Sequence, residues 1–299
     1  MRQLMFHCLL MSCLVVIPSG LLFAQQKPSS CAACAEWNRA QKPFRVFGNT
    51  YYVGPHGLSS ILITSDRGHV LIDGALPESA EVIVGNIKSL GFRIEDVKLI
   101  LNSHVHYDHA GGIAELQRLS GARVMASSWS AAVLRSGKPG HGDPQYQGGH
   151  SIAPVHNVHE LHDGETFEVG NISITAHLTP GHTPGGTSWT WRSCEGQLCR
   201  NLVYEDSLSP VYSGDFHFTH STEYPHVLED FEKSFRFLES TPCDILITPH
   251  PDASGLWEHL AEREKGVTPD PMVNQDACRV LAEDSRLNLR QRLKEEGKQ

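Results

Sequence analysis

The sequence predicts an α/β fold in which two sheets lie face to face with helices outside. Two observations point there. Short apolar runs with β character and amphipathic stretches with helical spacing follow one another in mixed order. The chain also falls into two similar halves. Each has hairpin strands, a helix and a final short strand leading to a histidine: Leu99-Ile100-Leu101-Asn102-Ser103-His104 in one, Ile245-Leu246-Ile247-Thr248-Pro249-His250 in the other. At 299 residues and 40% hydrophobic content the chain is long and apolar enough to bury a full core.

Taken in order, residues 1–24 read as an export signal. Arg2 is the one charge, Leu4 to Phe23 is dominated by apolar residues, and Ala24 offers a small residue for cleavage. The alternative is an uncleaved membrane anchor; His7, Pro18, Ser19 and Gly20 break the run, and no stop-transfer charges follow. Residues 25–43, rich in Gln, Ala, Ser and Pro, are expected to be an extended lead-in, and 44–299 a single domain. Arg45–Phe47 and Thr50–Val53 have β character on either side of a Gly48-Asn49 turn. Ser60–Thr64 and Val70–Asp73 pair as a hairpin across Asp66-Arg67-Gly68. Pro77 to Gly91 has helical spacing (Val82, Ile83, Ile87, Leu90) and stops at glycine. Val97–Leu101 reads as a buried strand, Ile113–Leu119 as a helix, Arg123–Ala126 as a strand and Ser127–Arg135 as a helix with a polar start.

Residues 136–157 are rich in Gly, Pro and His. A loop of that length is expected to be functional, a wall or lid beside a site, with Gln145 and Tyr146 as candidates to line it. The β pattern returns at Phe167–Val169, Ile172–His177, Thr187–Arg192 and Leu202–Tyr204. Residues 226–240 place Leu228, Phe231, Phe235 and Leu238 on one helical face. A strand at Asp244–Thr248 and a charged helix over about 275–297 close the chain.

A formal charge of −9 and the lack of any basic block give no reason to expect a nucleic-acid partner. Of eight cysteines, Cys8 and Cys13 fall in the export signal. The remaining six are an even number, which in an exported chain suggests disulfides. Cys194 and Cys199 flank a short Glu-Gly-Gln-Leu segment and are placed to staple a hairpin, leaving Cys243 and Cys278 to tie the C-terminal segment to the body. Cys31 and Cys34 are either a local disulfide or idle thiols.

The chemistry concentrates in Asn102-Ser103-His104-Val105-His106-Tyr107-Asp108-His109-Ala110-Gly111-Gly112, with ligand types in the pattern His-x-His-x-Asp-His. The segment is expected to be a loop between strand and helix. Alternate side chains of an extended segment point the same way, so His104 and His106 can face one ion, with Asp108 and His109 facing another. Imidazole and carboxylate suit zinc. Further ligands are expected from His182, framed by Thr179-Pro180-Gly181 and Thr183-Pro184-Gly185-Gly186, and from His250 in Pro249-His250-Pro251. Both follow strands, as His104 does.

These segments, in this order and spacing, resemble the signature of the metallo-β-lactamase fold hydrolases. The resemblance runs from about Phe44 to the C-terminus. It implies a four-layer αββα sandwich and two zinc ions per chain, one on His104, His106 and His182, the other on Asp108, His109 and His250. Many members carry a bridging aspartate between the last two histidines, and the first two β-lactamase subclasses place a zinc-binding cysteine there. The stretch Val203-Tyr204-Glu205-Asp206-Ser207-Leu208-Ser209 instead resembles the third β-lactamase subclass. That implies contacts from Ser207 and Ser209 to a substrate carboxylate, with Gln145 in the cleft from its Asp-Pro-Gln setting. It further implies Asp108 as the catalytic residue that orients a hydroxide for attack on the lactam amide of penicillins, cephalosporins and carbapenems, conferring antibiotic resistance. A bridging role for Asp206 would favour a lactonase or thioesterase of the same fold. The expected setting is the periplasm, as a monomer without stable membrane association once the signal is removed, with Trp37 near the site mouth.

Overall fold

The computed structural model describes residues 31–297. The expected export signal, 1–24, and the first part of the lead-in, 25–30, lie outside the described residues. The first half comprises α1 (Cys34–Trp37), β1 (Phe44–Phe47), β2 (Thr50–Tyr52), β3 (Ile61–Ser65), β4 (Gly68–Ile72), α2 (Ser79–Ser89) and β5 (Val97–Leu101). Next come α3 (Tyr107–Ala110), α4 (Ile113–Ser120), β6 (Arg123–Ser127), α5 (Ser128–Ser136) and β7 (Val158–Leu161). The second half holds β8 (Thr166–Val169), β9 (Ile172–Leu178), β10 (Thr187–Glu195), β11 (Leu198–Tyr204) and α6 (Val227–Ser240). β12 (Ile245–Ile247), α7 (Leu256–Glu264) and α8 (Ala277–Glu296) complete it.

Strands β1 to β7 form one sheet in sequence order, and β12-β11-β10-β9-β8 form the second. Both are mixed. β1–β4 pair antiparallel and β4–β7 parallel, while β8–β11 pair antiparallel and β11–β12 parallel.

The period-2 direction of strand side chains sorts the core into three slabs. Ile61, Ile63, Val70, Ile72, Leu99 and Leu101 of the first sheet meet Ile174, Trp189, Trp191, Leu202, Tyr204 and Ile245 of the second. The alternate residues Leu62, Leu71 and Ile100 turn outward to pack with Ile83 and Ile87 of α2, Leu116 of α4 and Leu134 of α5. On the far side, Val203 and Leu246 pack with Phe231 and Phe235 of α6 and Ala282 and Leu289 of α8. The order helices, sheet, sheet, helices is the expected four-layer sandwich.

Four departures from the expected elements have local causes. Within the lead-in, expected to be extended, Cys34–Trp37 form a helical turn, closed by the Cys31–Cys34 disulfide just before it. The metal-type loop contains its own turn of helix, α3, with His106 as its N-cap residue. Strand β7 escaped the sequence reading because Val158 and Leu161 bury while His159 and Glu160 between them are exposed, so it shows no alternation. Helix α7 was also unread; Leu256, Trp257 and Leu260 fold it onto the inter-sheet core.

The cysteines pair as 31–34, 194–199 and 243–278. Cys194 and Cys199 are opposite partners in the β10–β11 register, the staple that the spacing suggests. The 243–278 bond fastens the start of α8 beside β12. The 31–34 bond settles the open choice for those two residues.

Candidate metal centre

The site lies at strand ends. β5 runs out at Leu101, and the next residues are anchored by Asp73, which follows the neighbouring strand β4. The Asp73 carboxylate accepts from the Ser103 amide at 2.8 Å, the Ser103 hydroxyl at 2.5 Å and the Tyr204 hydroxyl at 2.8 Å. Its backbone sits at φ 58°, a left-handed value that few residues other than glycine adopt. Burial raises the Asp73 pKa, against the pull of His109 and of these hydrogen bonds. Two glycines are required by close approach. A Cβ on Gly112 would lie 2.3 Å from the Gly74 carbonyl oxygen, so the chain after Ala110 can only pass that closely without a side chain. Gly181, at φ 143°, would place a Cβ 2.7 Å from the Phe231 ring, and this turn delivers His182.

The six residues singled out from sequence converge as two groups, His104/His106/His182 and Asp108/His109/His250. Within each, the potential ligand atoms lie within 4.8 Å of one another. In the first group every imidazole has one nitrogen fixed by the protein. Nδ1 of His104 bonds an Asp206 carboxylate oxygen at 2.7 Å, and Nδ1 of His182 bonds the Ser209 carbonyl at 2.7 Å. Nε2 of His106 lies 2.9 and 3.1 Å from the two Asp143 carboxylate oxygens. Such outer partners set the tautomer and direction of a metal-binding histidine. Nε2 of His104 is buried with no hydrogen-bond partner, an arrangement that costs stability unless something else satisfies it. In the second group Asp108 Oδ2 is 3.3 Å from both His109 Nε2 and His250 Nε2. The donor set, the orphaned nitrogen and the oriented rings all fit metal ions.

The electrostatics agree. Burial, reinforced by the charges of His109, His106 and His182, holds His104 well below the usual histidine range. Burial and the neighbouring His106 bring His182 down to about 3. Both are therefore neutral at physiological pH, the form that binds a metal. His106 is the exception: burial lowers it, but the Asp143 charge and hydrogen bond outweigh that and raise it. Burial raises Asp108, yet the charges and hydrogen bonds of His109 and His250 leave it an anion, well below its ordinary value.

All six residues of the two groups except the buried His104 line a cavity of about 470 Å³. Ser207, Ser209 and Gln145 line it too, as does Trp37, whose ring centroid is 5.1 Å from that of His250. Gln145 Nε2 is 3.4 Å from His106 Nδ1. Ser209 thus does more than face the cavity, because its carbonyl holds His182. Asp206 is 1% exposed, sits behind His104 and does not line the cavity. Tyr146, the other loop candidate, lines a neighbouring cleft with His141 and Phe216 instead. Sequence reasoning missed Asp143 and Asp73. Asp143 stood in the Asp-Pro-Gln segment that drew attention to Gln145; nothing local marked Asp73.

Beside Asp206 lies a second buried acid. Glu205 accepts from the Ser188 hydroxyl at 3.0 Å, its other oxygen has no partner, and burial pushes it up to about 8. A carboxyl with a raised folded-state pKa binds its proton more tightly when folded. Its stabilising contribution is complete below the unfolded value, near 4.5, and is lost as pH rises toward 8. Glu205→Gln keeps an acceptor for Ser188 without the titration. Its stability relative to the parent is expected to improve from pH 5 to pH 9 in denaturant melts; parallel pH curves would contradict this.

Comparison with known proteins agrees with the geometry. A family model described as the metallo-β-lactamase superfamily matches residues 53–195. The solved Rm3 metallo-β-lactamase is 55% identical, with a TM-score of 0.87, and the alignment covers 89% of this chain and 99% of that one. The chain belongs to the metallo-β-lactamases. MEM-A1, a subclass B3 metallo-β-lactamase isolated from a soil metagenome library, is 49% identical with a TM-score of 0.85, over 87% of this chain and 98% of that one. This places the present metallo-β-lactamase in the third subclass, as the Ser207–Ser209 stretch implied. More distant curated relatives include the atrochrysone carboxyl ACP thioesterase of Aspergillus fumigatus, 25% identical over 68% of this chain and 37% of its own length. The chain spans 37 to 53% of the length of the first curated relatives it matches.

Proposed function

We propose that this protein is a β-lactam hydrolase holding two zinc ions, on His104, His106 and His182 and on Asp108, His109 and His250, and that its substrates are penicillins, cephalosporins and carbapenems. The observation that carries the reading is which side chains after β11 reach the cavity. Ser207 and Ser209 do, whereas Asp206 is committed to His104 Nδ1. A bridging carboxylate would have to stand between the two groups, so the thioesterase or lactonase alternative lacks its key residue. The solved relatives named above are metallo-β-lactamases, which supports the same choice.

Zinc, when bound, contributes Lewis acidity and brings the pKa of water into the neutral range. The chain supplies the rest. Asp108 stays ionised, so it can accept a proton or hydrogen bond from the attacking water and hold it in line. The Ser207 and Ser209 hydroxyls offer donors to the carboxylate that β-lactams carry. Trp37, Val133, Ile152 and Val211 form an apolar wall for ring substituents and exclude water. No serine nucleophile is needed, and Ser207 has no Ser-x-x-Lys setting.

The setting we propose is the periplasm. Three disulfides support it, since such bonds persist in oxidising compartments. The test of substrate class is a panel: one penicillin, one cephalosporin, one carbapenem, one thioester and one lactone, with the zinc-loaded protein. Turnover of the β-lactams that clavulanate does not block is expected. Thioester or lactone cleavage without β-lactam turnover would overturn the proposal.

A further inference from the structure

The long loop between α5 and β7 touches the first histidine group at His106, through the Asp143 carboxylate and, more weakly, the Gln145 side-chain amide at 3.4 Å. Asp143 is 5% exposed, and both its oxygens lie on His106 Nε2, at 2.9 and 3.1 Å. Oδ1 also accepts from the Gln145 amide at 2.7 Å. The Asp143 amide and carbonyl are used as well, the first donating to Gly140 at 3.2 Å and the second accepting from Tyr146 at 2.9 Å. The residue is therefore fixed on the loop side, and both carboxylate oxygens are hydrogen-bonded to one ring, that of His106.

That ring differs from its two companions. His104 and His182 are held through Nδ1, which leaves Nε2 of each to face the group. His106 is held through Nε2, which leaves Nδ1 on the other side of the ring, where Gln145 Nε2 lies at 3.4 Å. An imidazole turned over by 180° about its bond to Cβ presents a different nitrogen in a different place. Something must select the orientation, and Asp143 is the charged partner at the selecting nitrogen.

We propose that Asp143 is a positioning residue that locks His106 with Nδ1 turned into the His104/His106/His182 group and ties the Gln145 loop to that same ring. The assignment rests on the metal-hydrolase reading of the site. It makes the loop and the metal group one mechanical unit: displacing residues 143–145 disturbs His106, and filling the group steadies the loop.

The test is metal affinity, read without any β-lactam. Metal-free protein is titrated with zinc against a chromophoric chelator and, separately, with cobalt while its visible absorption is recorded. For Asp143→Ala one of two binding steps is expected to weaken by about 10–100-fold, the range typical of losing an outer partner of a metal-binding histidine. Its cobalt band should shift, while the other step stays in place. Asp143→Asn keeps an oxygen for the Gln145 amide but loses the charge. It is expected to weaken the same step by about 10-fold, toward the low end of that range, and it decides the matter if the alanine variant does not fold. Unchanged affinities and cobalt spectrum in a folded variant would overturn the proposal. Equal weakening of both steps would overturn it too, because that is the mark of general loosening. If the parent protein binds two zinc ions but opens no β-lactam, the substrate assignment fails while the role of Asp143 is still read out.

Discussion

Replacing Asp108 with alanine is expected to lower kcat/KM for a β-lactam by on the order of 10²–10⁴-fold, the usual contribution of a positioned acid or base, and to cut bound zinc from two ions to one. The two effects share a cause. Asp108 Oδ2 stands 3.3 Å from Nε2 of both His109 and His250, so removing it takes away a ligand and the anion that holds two others together. It also removes the ionised group available to orient the attacking water, a role that burial alone would have suppressed. Metal content by mass spectrometry and steady-state kinetics on one sample check both halves. Full turnover with two zinc ions retained would refute the assignment.

The largest expected stability effect lies in the slab between the sheets. Trp189 is fully buried there, among the strand residues of both sheets, and its indole N–H donates to the Asn102 carbonyl at 3.3 Å. Trp189→Ala should cost about 3–5 kcal/mol, through lost transfer energy and the cavity left behind. A shift in the denaturant midpoint at constant slope measures it. The loss also frees the carbonyl two residues before His104, so weaker zinc binding should accompany the lower stability. A cost below about 1 kcal/mol would mean that the two sheets close over the gap, contrary to the usual rigidity of such cores.

The central elements were legible because their signals are local. Hairpins with turn glycines, a continuous apolar run before a histidine, and the wide apolar face of α6 each fit within a window of a few residues. The dense His-x-His-x-Asp-His segment identified four of the six residues of the two groups, and Pro/Gly framing singled out His182 and His250. What escaped depends on residues far apart in sequence. Asp73 and Ser103 are 30 residues apart, His106 and Asp143 are 37 apart, and His104 and Asp206 are 102 apart. A lone aspartate carries no periodicity, so nothing in its neighbourhood reveals which distant imidazole it will hold. The β7 strand was lost for a related reason: its two core contacts are too few to make a pattern.

Metal-dependent opening of a β-lactam is directly measurable. The initial rate of carbapenem hydrolysis by the purified protein is followed with zinc present, after EDTA, and after zinc is restored. Activity that vanishes with the chelator and returns with zinc is the predicted result; hydrolysis that continues undiminished in EDTA would contradict it.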